Sequence, residues 1–158
     1  MGTRCQIGII DNNNALTDGE PEICPLIYRH YDGYLGTLDE RESGVVPDIL
    51  PFIKAFVEQR GYFDAEYLGA CLVSSLKQNH CGKPIESYEK IMVNGMEIPI
   101  TGVGIGTEIH GDIEYFYAVL PDRLEVYLVR GCFELQETHY YVELNEYEAP
   151  LELGESNE

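Results

Sequence analysis

The hydrophobic period changes once along the chain, and that change limits the fold more than any single motif. Ile49, Leu50, Ile53, Phe56 and Val57 recur at i, i+1, i+4, i+7 and i+8, the stripe of an amphipathic helix. Asp48 can cap such a helix, which places Pro51 in the first turn, where a missing N–H costs little, and Gly61 at the C-terminal end. Asp64 can cap a second helix, with Tyr67, Leu68, Cys71, Leu72, Ser75 and Leu76 on one face and Asn79 or Gly82 at its end. Joined by a short turn, the two predict an αα-hairpin.

Both sides of this helical block read as β-structure. Residues 4–10 alternate loosely and stop at Asp11-Asn12-Asn13-Asn14, and residues 26–31 form a second run closed by Asp32-Gly33. Downstream, Asn94-Gly95 separates residues 91–93 from 96–98, a two-residue hairpin signature that needs positive φ at the turn. Residues 111–120, a Pro121-Asp122 turn, residues 124–130 and residues 139–144 supply the remaining strands. Helices segregated between groups of strands predict an α+β fold: an antiparallel sheet of about five or six strands with the two-helix hairpin packed on one face. Residues 1–152 are expected to form one such domain, and residues 153–158 an acidic flexible tail.

Charge decides what this domain can meet. In 158 residues, 28 Asp and Glu face 10 Lys and Arg, a formal charge of −18, while 44% hydrophobic content still allows a core. Eight of the Glu, with no Lys or Arg among them, fall between Glu134 and Glu158. Such acidity opposes direct binding to nucleic acid or to anionic membrane. It leaves open a basic protein or a nucleoprotein complex carrying one, a cation, or simple solubility. No run approaches the ~20 apolar residues of a membrane helix, and residues 1–10 lack the core of a signal peptide. A cytoplasmic protein without membrane contact is therefore expected, with a homo-oligomer left open. Cys5, Cys24, Cys71, Cys81 and Cys132 are odd in number and form no CxxC pair, which predicts reduced thiols rather than a disulfide framework or a zinc site.

Two segments concentrate chemistry: Tyr28-Arg29-His30-Tyr31-Asp32-Gly33-Tyr34 and His110-Gly111-Asp112-Ile113-Glu114-Tyr115-Phe116-Tyr117. Strand period 2 puts His30 and Asp32 on one face; likewise His110, Asp112 and Glu114 share a face opposite Ile113, Tyr115, Tyr117 and Val119. If the two strands align, His30, Asp32, His110, Asp112 and Glu114 make a mixed N/O set suited to Mn²⁺, Zn²⁺ or Fe²⁺, able to activate a water. An ordinary polar outer face of an antiparallel sheet explains the same pattern and outweighs it. No resident cofactor is expected, a divalent metal being the exception. The 12 Tyr and absent Trp favour rigid amphipathic contact surfaces as well as strands. The ligand-binding candidates are Tyr28, Arg29, His30, Asp32, Tyr34, Asp112, Glu114 and Tyr115, with Arg29 the group to meet a phosphate. Gly102-Val103-Gly104-Ile105-Gly106 lacks the context of a phosphate loop and suggests a loop, bulge or close backbone approach. Ser74-Ser75 lacks a nucleophile elbow. No catalytic residue is assigned, and the balance falls on a non-enzyme.

The same segments carry a resemblance. Thr3-Arg4, Tyr28 to Tyr34 and Gly111 to Tyr117 resemble, in order, the motifs Thr-Arg, Tyr-x-His-x-Asp-Gly-Tyr-Pro and Gly-Asp-x-Glu-Tyr-x-Tyr of an uncharacterised family of small phage, archaeal and mobile-element proteins. These motifs span about twenty of the 158 residues, and Leu35 stands where the family has Pro. The resemblance implies a phage or mobile-element accessory protein, for which interference with host defence is a common task. The expected function is a stoichiometric, anti-CRISPR-like binder that occupies a basic nucleic-acid-binding surface. The alternative is binding or metal-dependent hydrolysis of a nucleotide signalling molecule at the His/Asp cluster.

Overall fold

The computed structural model describes residues 3–11, 23–36, 44–78 and 88–142. In chain order the elements are β1 (Cys5–Ile10), β2 (Ile23–Arg29), α1 (Val45–Arg60), α2 (Ala65–Gln78), β3 (Lys90–Val93), β4 (Met96–Pro99), β5 (Val103–Gly106), β6 (Tyr115–Val119), β7 (Arg123–Val129) and β8 (Phe133–Tyr140). All six residues of β1 are buried, as befits a strand covered on both faces. It pairs antiparallel with β2 on one side and parallel with β6 on the other, within a six-stranded sheet ordered β5-β2-β1-β6-β7-β8. The other pairings in this sheet are antiparallel, and β3 and β4 form a separate two-stranded sheet. The expected α+β class is therefore observed, with one parallel pair inside the main sheet.

The helix pair covers one face of the sheet. Ile7, Ile9, Ile27, Val119 and Val126 pack there with Ile49 and Ile53 of α1 and with Leu68, Leu72 and Leu76 of α2. Fully burying each such side chain contributes about 1.5–3 kcal/mol. The opposite face carries a smaller apolar cluster around Leu26, Ile113, Phe116, Ala118 and Tyr127. Beside it, Tyr127 donates its hydroxyl to Glu125 at 2.5 Å, and Arg123 bridges Glu125 and Asp122 at 2.8 and 2.9 Å. Burial opposes the Arg123 charge, but these two carboxylates outweigh it and raise the guanidinium pKa.

Several local features match the expectation. Asp64 Oδ1 accepts the Tyr67 N–H at 3.2 Å ahead of α2, and the Gly61 N–H closes α1 on the Val57 carbonyl at 2.8 Å. Asn94 and Gly95 take φ of 51° and 82°, the turn that a two-residue hairpin requires.

Others differ for identifiable reasons. Helix α1 starts at Val45 rather than after Asp48, because the Val45 and Val46 N–H groups donate to the carbonyls of Tyr34 and Leu35 at 2.9 and 3.0 Å. Asp48 thus sits in the first turn and Pro51 further inside the helix. Strand β2 stops at Arg29 and not at residue 31, since the chain turns through Asp32 at φ 57°. His30 and Asp32 therefore do not share a strand face. Residues 111–114 form a turn and its exit, so β6 begins only at Tyr115. Ile113 consequently joins the cluster opposite Tyr115, Tyr117 and Val119. Among the described residues the last strand is β8, which begins at Phe133 rather than at residue 139; its residues are mostly exposed at the sheet edge, where burial imposes no apolar alternation, and residues 143–144 of the expected strand lie outside the described residues.

Cys5, Cys71 and Cys132 form no disulfide among the described residues. The expected turn at Asn12 to Asn14, the end of α2 at Asn79 or Gly82, Cys81 and the tail at 153–158 lie outside them. No described helix is long and apolar enough to cross a membrane.

Candidate functional site: an aromatic cleft where the motifs meet

Strand direction brings the motif segments together. Because β1 and β6 run parallel and β2 antiparallel to β1, the starts of β1 and β6 lie at the same end of the sheet as the end of β2. Thr3-Arg4, the 28–34 segment and the 111–117 segment meet there, although β1 separates β2 from β6. The Gly33 N–H donates to the Thr3 carbonyl at 2.8 Å, the Glu114 N–H to the Arg4 carbonyl at 2.9 Å, and the Tyr117 hydroxyl to the Gly33 carbonyl at 2.7 Å. Gly33 is required for this closeness, as a Cβ there would lie 2.7 Å from the Thr3 oxygen.

The pleat then sends these residues to opposite faces. Arg29 points under the helices, 1% exposed, and pairs with Asp48 at 2.7 Å while its Nε donates to the Tyr31 carbonyl at 2.9 Å. Asp48 in the first turn of α1 also complements the positive end of the helix dipole. Tyr115 and Tyr117 lie on this side, their rings 6.1 Å apart. Burial, and then the neighbouring Cys5 and Tyr115, push the Tyr117 phenol far above the usual tyrosine range.

Tyr28 faces the other way. Its hydroxyl oxygen lies 3.1 Å from His30 Nδ1, a hydrogen bond whose donor follows the imidazole tautomer. Its ring stacks on His110 at 4.7 Å, and the His30 ring meets Tyr31 edge-on at 4.6 Å. Burial and then the Asp112 charge raise the Tyr28 pKa. His110 reaches Tyr28 because the 107–114 connection crosses the open face and Gln6 holds it. The Gln6 amide donates to the Glu108 carbonyl at 3.1 Å and accepts the His110 N–H at 2.8 Å. Asp112 completes the edge, 3.7 Å from His110 Nδ1 and 3.7 Å from Arg4 Nε.

Beside these rings opens a cleft of about 580 Å³, lined by Tyr28, His30, Tyr31, Tyr88, Glu89, Ile100, Thr101 and the 102–104 backbone. Gly104 lies directly opposite Tyr28 in the β2–β5 register, so bare backbone forms one side of the cleft. The glycine-rich segment is thus an edge strand with close backbone approach, Gly102 lying against the Tyr31 ring.

The eight binding candidates separate accordingly. Tyr28 and His30 line the cleft, and Asp112 stands next to it through His110. Arg29 and Tyr115 belong to the helix side; Asp32 sits half-buried in the turn, and Tyr34 and Glu114 are exposed. Among the described residues no three His, Cys, Asp or Glu side chains gather to hold a metal ion, so His30, Asp32, His110, Asp112 and Glu114 do not form one ligand set. Sequence reasoning passed over Gln6, Tyr88 and Glu89. Gln6 is a polar residue within an otherwise apolar run, which was a usable signal, whereas Tyr88 and Glu89 stand in no pattern. No protein-family model, curated protein or solved structure matches this chain.

Proposed function

We propose that this protein is a stoichiometric, non-catalytic binder whose cleft seats an arginine or lysine side chain of a basic protein segment. The observation that carries this reading is the cleft lining: three Tyr, one His, one Glu and no Lys or Arg. Aromatic faces attract a cation within about 6 Å of the ring centre, contributing roughly 0.5–2 kcal/mol. The overall charge of −18 speeds the encounter with such a partner. A phosphate entering the cleft meets no cation of the lining, and nearby Arg29 and Arg4 are engaged by Asp48 and Asp112. In the phage or mobile-element setting that the motifs imply, the partner is a host defence protein. Its basic nucleic-acid-binding surface is occupied in competition with the natural polyanion.

Titration with an arginine-rich peptide, followed by tyrosine emission, tests this reading. One-to-one saturation is expected, with affinity falling at least tenfold between about 50 and 500 mM salt as screening grows. Gly104→Leu should abolish binding and leave the fold intact, because a Cβ at Gly104 meets nothing within 4 Å and the added side chain lies beside Tyr28. Salt-independent affinity, or tighter binding of a nucleoside monophosphate than of the peptide, overturns the proposal; the second result favours the nucleotide reading.

A further inference from the structure

Strand β5 is one edge of the main sheet, and with Gly102 before it the segment reads Gly-Val-Gly-Ile-Gly. A period of 2 places every glycine on the open face and the Val103 and Ile105 side chains on the helix face. Of these glycines Gly104 alone has free space. A Cβ there meets nothing within 4 Å, whereas Gly102 abuts Tyr31 and Gly106 lies near Gln6. Bare backbone thus leaves a lane beside Tyr28, the residue opposite Gly104.

The hydrogen-bond phase shows which groups face outward. The His30 N–H donates to the Gly102 carbonyl at 2.8 Å, so by alternation Tyr28–Gly104 and Leu26–Gly106 are also bonded pairs. The Val103 and Ile105 peptide groups therefore point away from β2, to an edge where no strand follows among the described residues. Thr101 Oγ1 accepts the Val103 N–H at 3.3 Å, while no side chain among the described residues accepts that of Ile105, whose own side chain is 69% exposed. Edges are commonly blocked by Lys, Pro or a bulge. Strand β5 has none of these, whereas the β8 edge is broken by a register shift at Gln136.

Resting on the reading that the cleft seats a cationic side chain, we infer that the basic segment docks in extended form, as an antiparallel strand added to the free edge of β5. Antiparallel pairing is the more stable per residue. The 102–104 backbone of this edge is itself a wall of the cleft. A residue opposite Gly104 points its side chain over the open face, two strand spacings or about 9.5 Å from Tyr28. An arginine or lysine there crosses the bare Gly104 backbone to the Tyr28 ring. The flanking residues, opposite Val103 and Ile105, turn to the other face, where an apolar side chain covers Ile105. The segment that fits this edge therefore alternates basic and apolar residues.

Affinity and residue-resolved amide exchange of the full chain with a peptide alternating Arg and Val test this. The peptide should slow exchange of the Ile105 amide and leave the β8 amides unchanged. Methylating the backbone nitrogens of its Val residues, which face β5, should weaken binding roughly tenfold through lost hydrogen bonds. Methylating those of its Arg residues, which face solvent, should leave the affinity unchanged. An isomer with Arg and Val in separate blocks should bind about as weakly as the Val-methylated peptide. Equal effects of the two methylations, a reversed pattern, or protection confined to β8 overturns the added strand. In each of those cases a salt-dependent affinity that Gly104→Leu abolishes still upholds the cleft. A peptide that does not bind at all overturns both.

Discussion

Arg29 and Tyr28 are consecutive in β2, yet one is sealed beneath α1 in a 2.7 Å ion pair with Asp48 while the other stays half-buried on the open face, stacked on His110 at 4.7 Å. The alternation of a strand has divided a single motif into two working parts. On the helix side, Arg29, Tyr117 and the Gly33 carbonyl fix how the strand ends and α1 approach each other. On the open side, Tyr28, His30 and His110 keep ring surface and hydrogen-bonding edges near solvent, next to a cleft. Residues on the first side should matter for stability and residues on the second for binding.

The largest expected effect is on the helix side. Asp48→Ala leaves the Arg29 charge buried without its carboxylate, and denaturant unfolding should show a loss of about 3 kcal/mol. A loss below about 1 kcal/mol would break the division, since Asp48 would then be no more than a surface charge. Next comes Gln6, the one tested residue that joins stability to the open face. Gln6→Ala removes two hydrogen bonds to the 107–114 connection and should cost about 2 kcal/mol. It should also speed amide exchange at His110 and weaken peptide binding, because His110 is no longer held over Tyr28. Unchanged exchange at His110 would show that Gln6 does not hold this connection.

The smallest effect concerns Tyr117. Tyr117→Phe loses the hydrogen bond to the Gly33 carbonyl and should cost about 1 kcal/mol at neutral pH. The native Tyr117 pKa is raised, so its stabilising contribution is complete below the unfolded value of about 10 and is lost as pH rises above it. The gap between wild type and variant should therefore narrow above pH 10 in melts run across the alkaline range. A gap that is constant with pH would contradict the burial of this phenol.

Features written in local chemistry were legible in the sequence. Asn94-Gly95 specifies its turn, Asp64 its cap and the Ile49 to Val57 stripe its helix. The start of α1 was not legible, because its first N–H groups are satisfied by the carbonyls of Tyr34 and Leu35 and no capping side chain marks the site. The cleft was half legible. Tyr28 and His30 stood out by composition, but His110 stacks on Tyr28 only because Gln6 bonds residues more than a hundred positions away. The parallel pairing of β1 with β6, which gathers the three motifs, leaves no mark in the period of either strand. Reading Arg29 as a phosphate contact took the motif as one surface, whereas the pleat makes it two.

The most direct test measures melting temperature and arginine-rich peptide affinity for two variants at adjacent positions, Tyr28→Leu and Arg29→Met. The account predicts that Tyr28→Leu loses at least tenfold in affinity with a nearly unchanged melting temperature. Arg29→Met should melt several degrees lower and bind as tightly as wild type at temperatures where it is folded. The opposite pattern, with affinity lost at Arg29 and stability lost at Tyr28, would contradict the division of this motif between the two faces of the sheet.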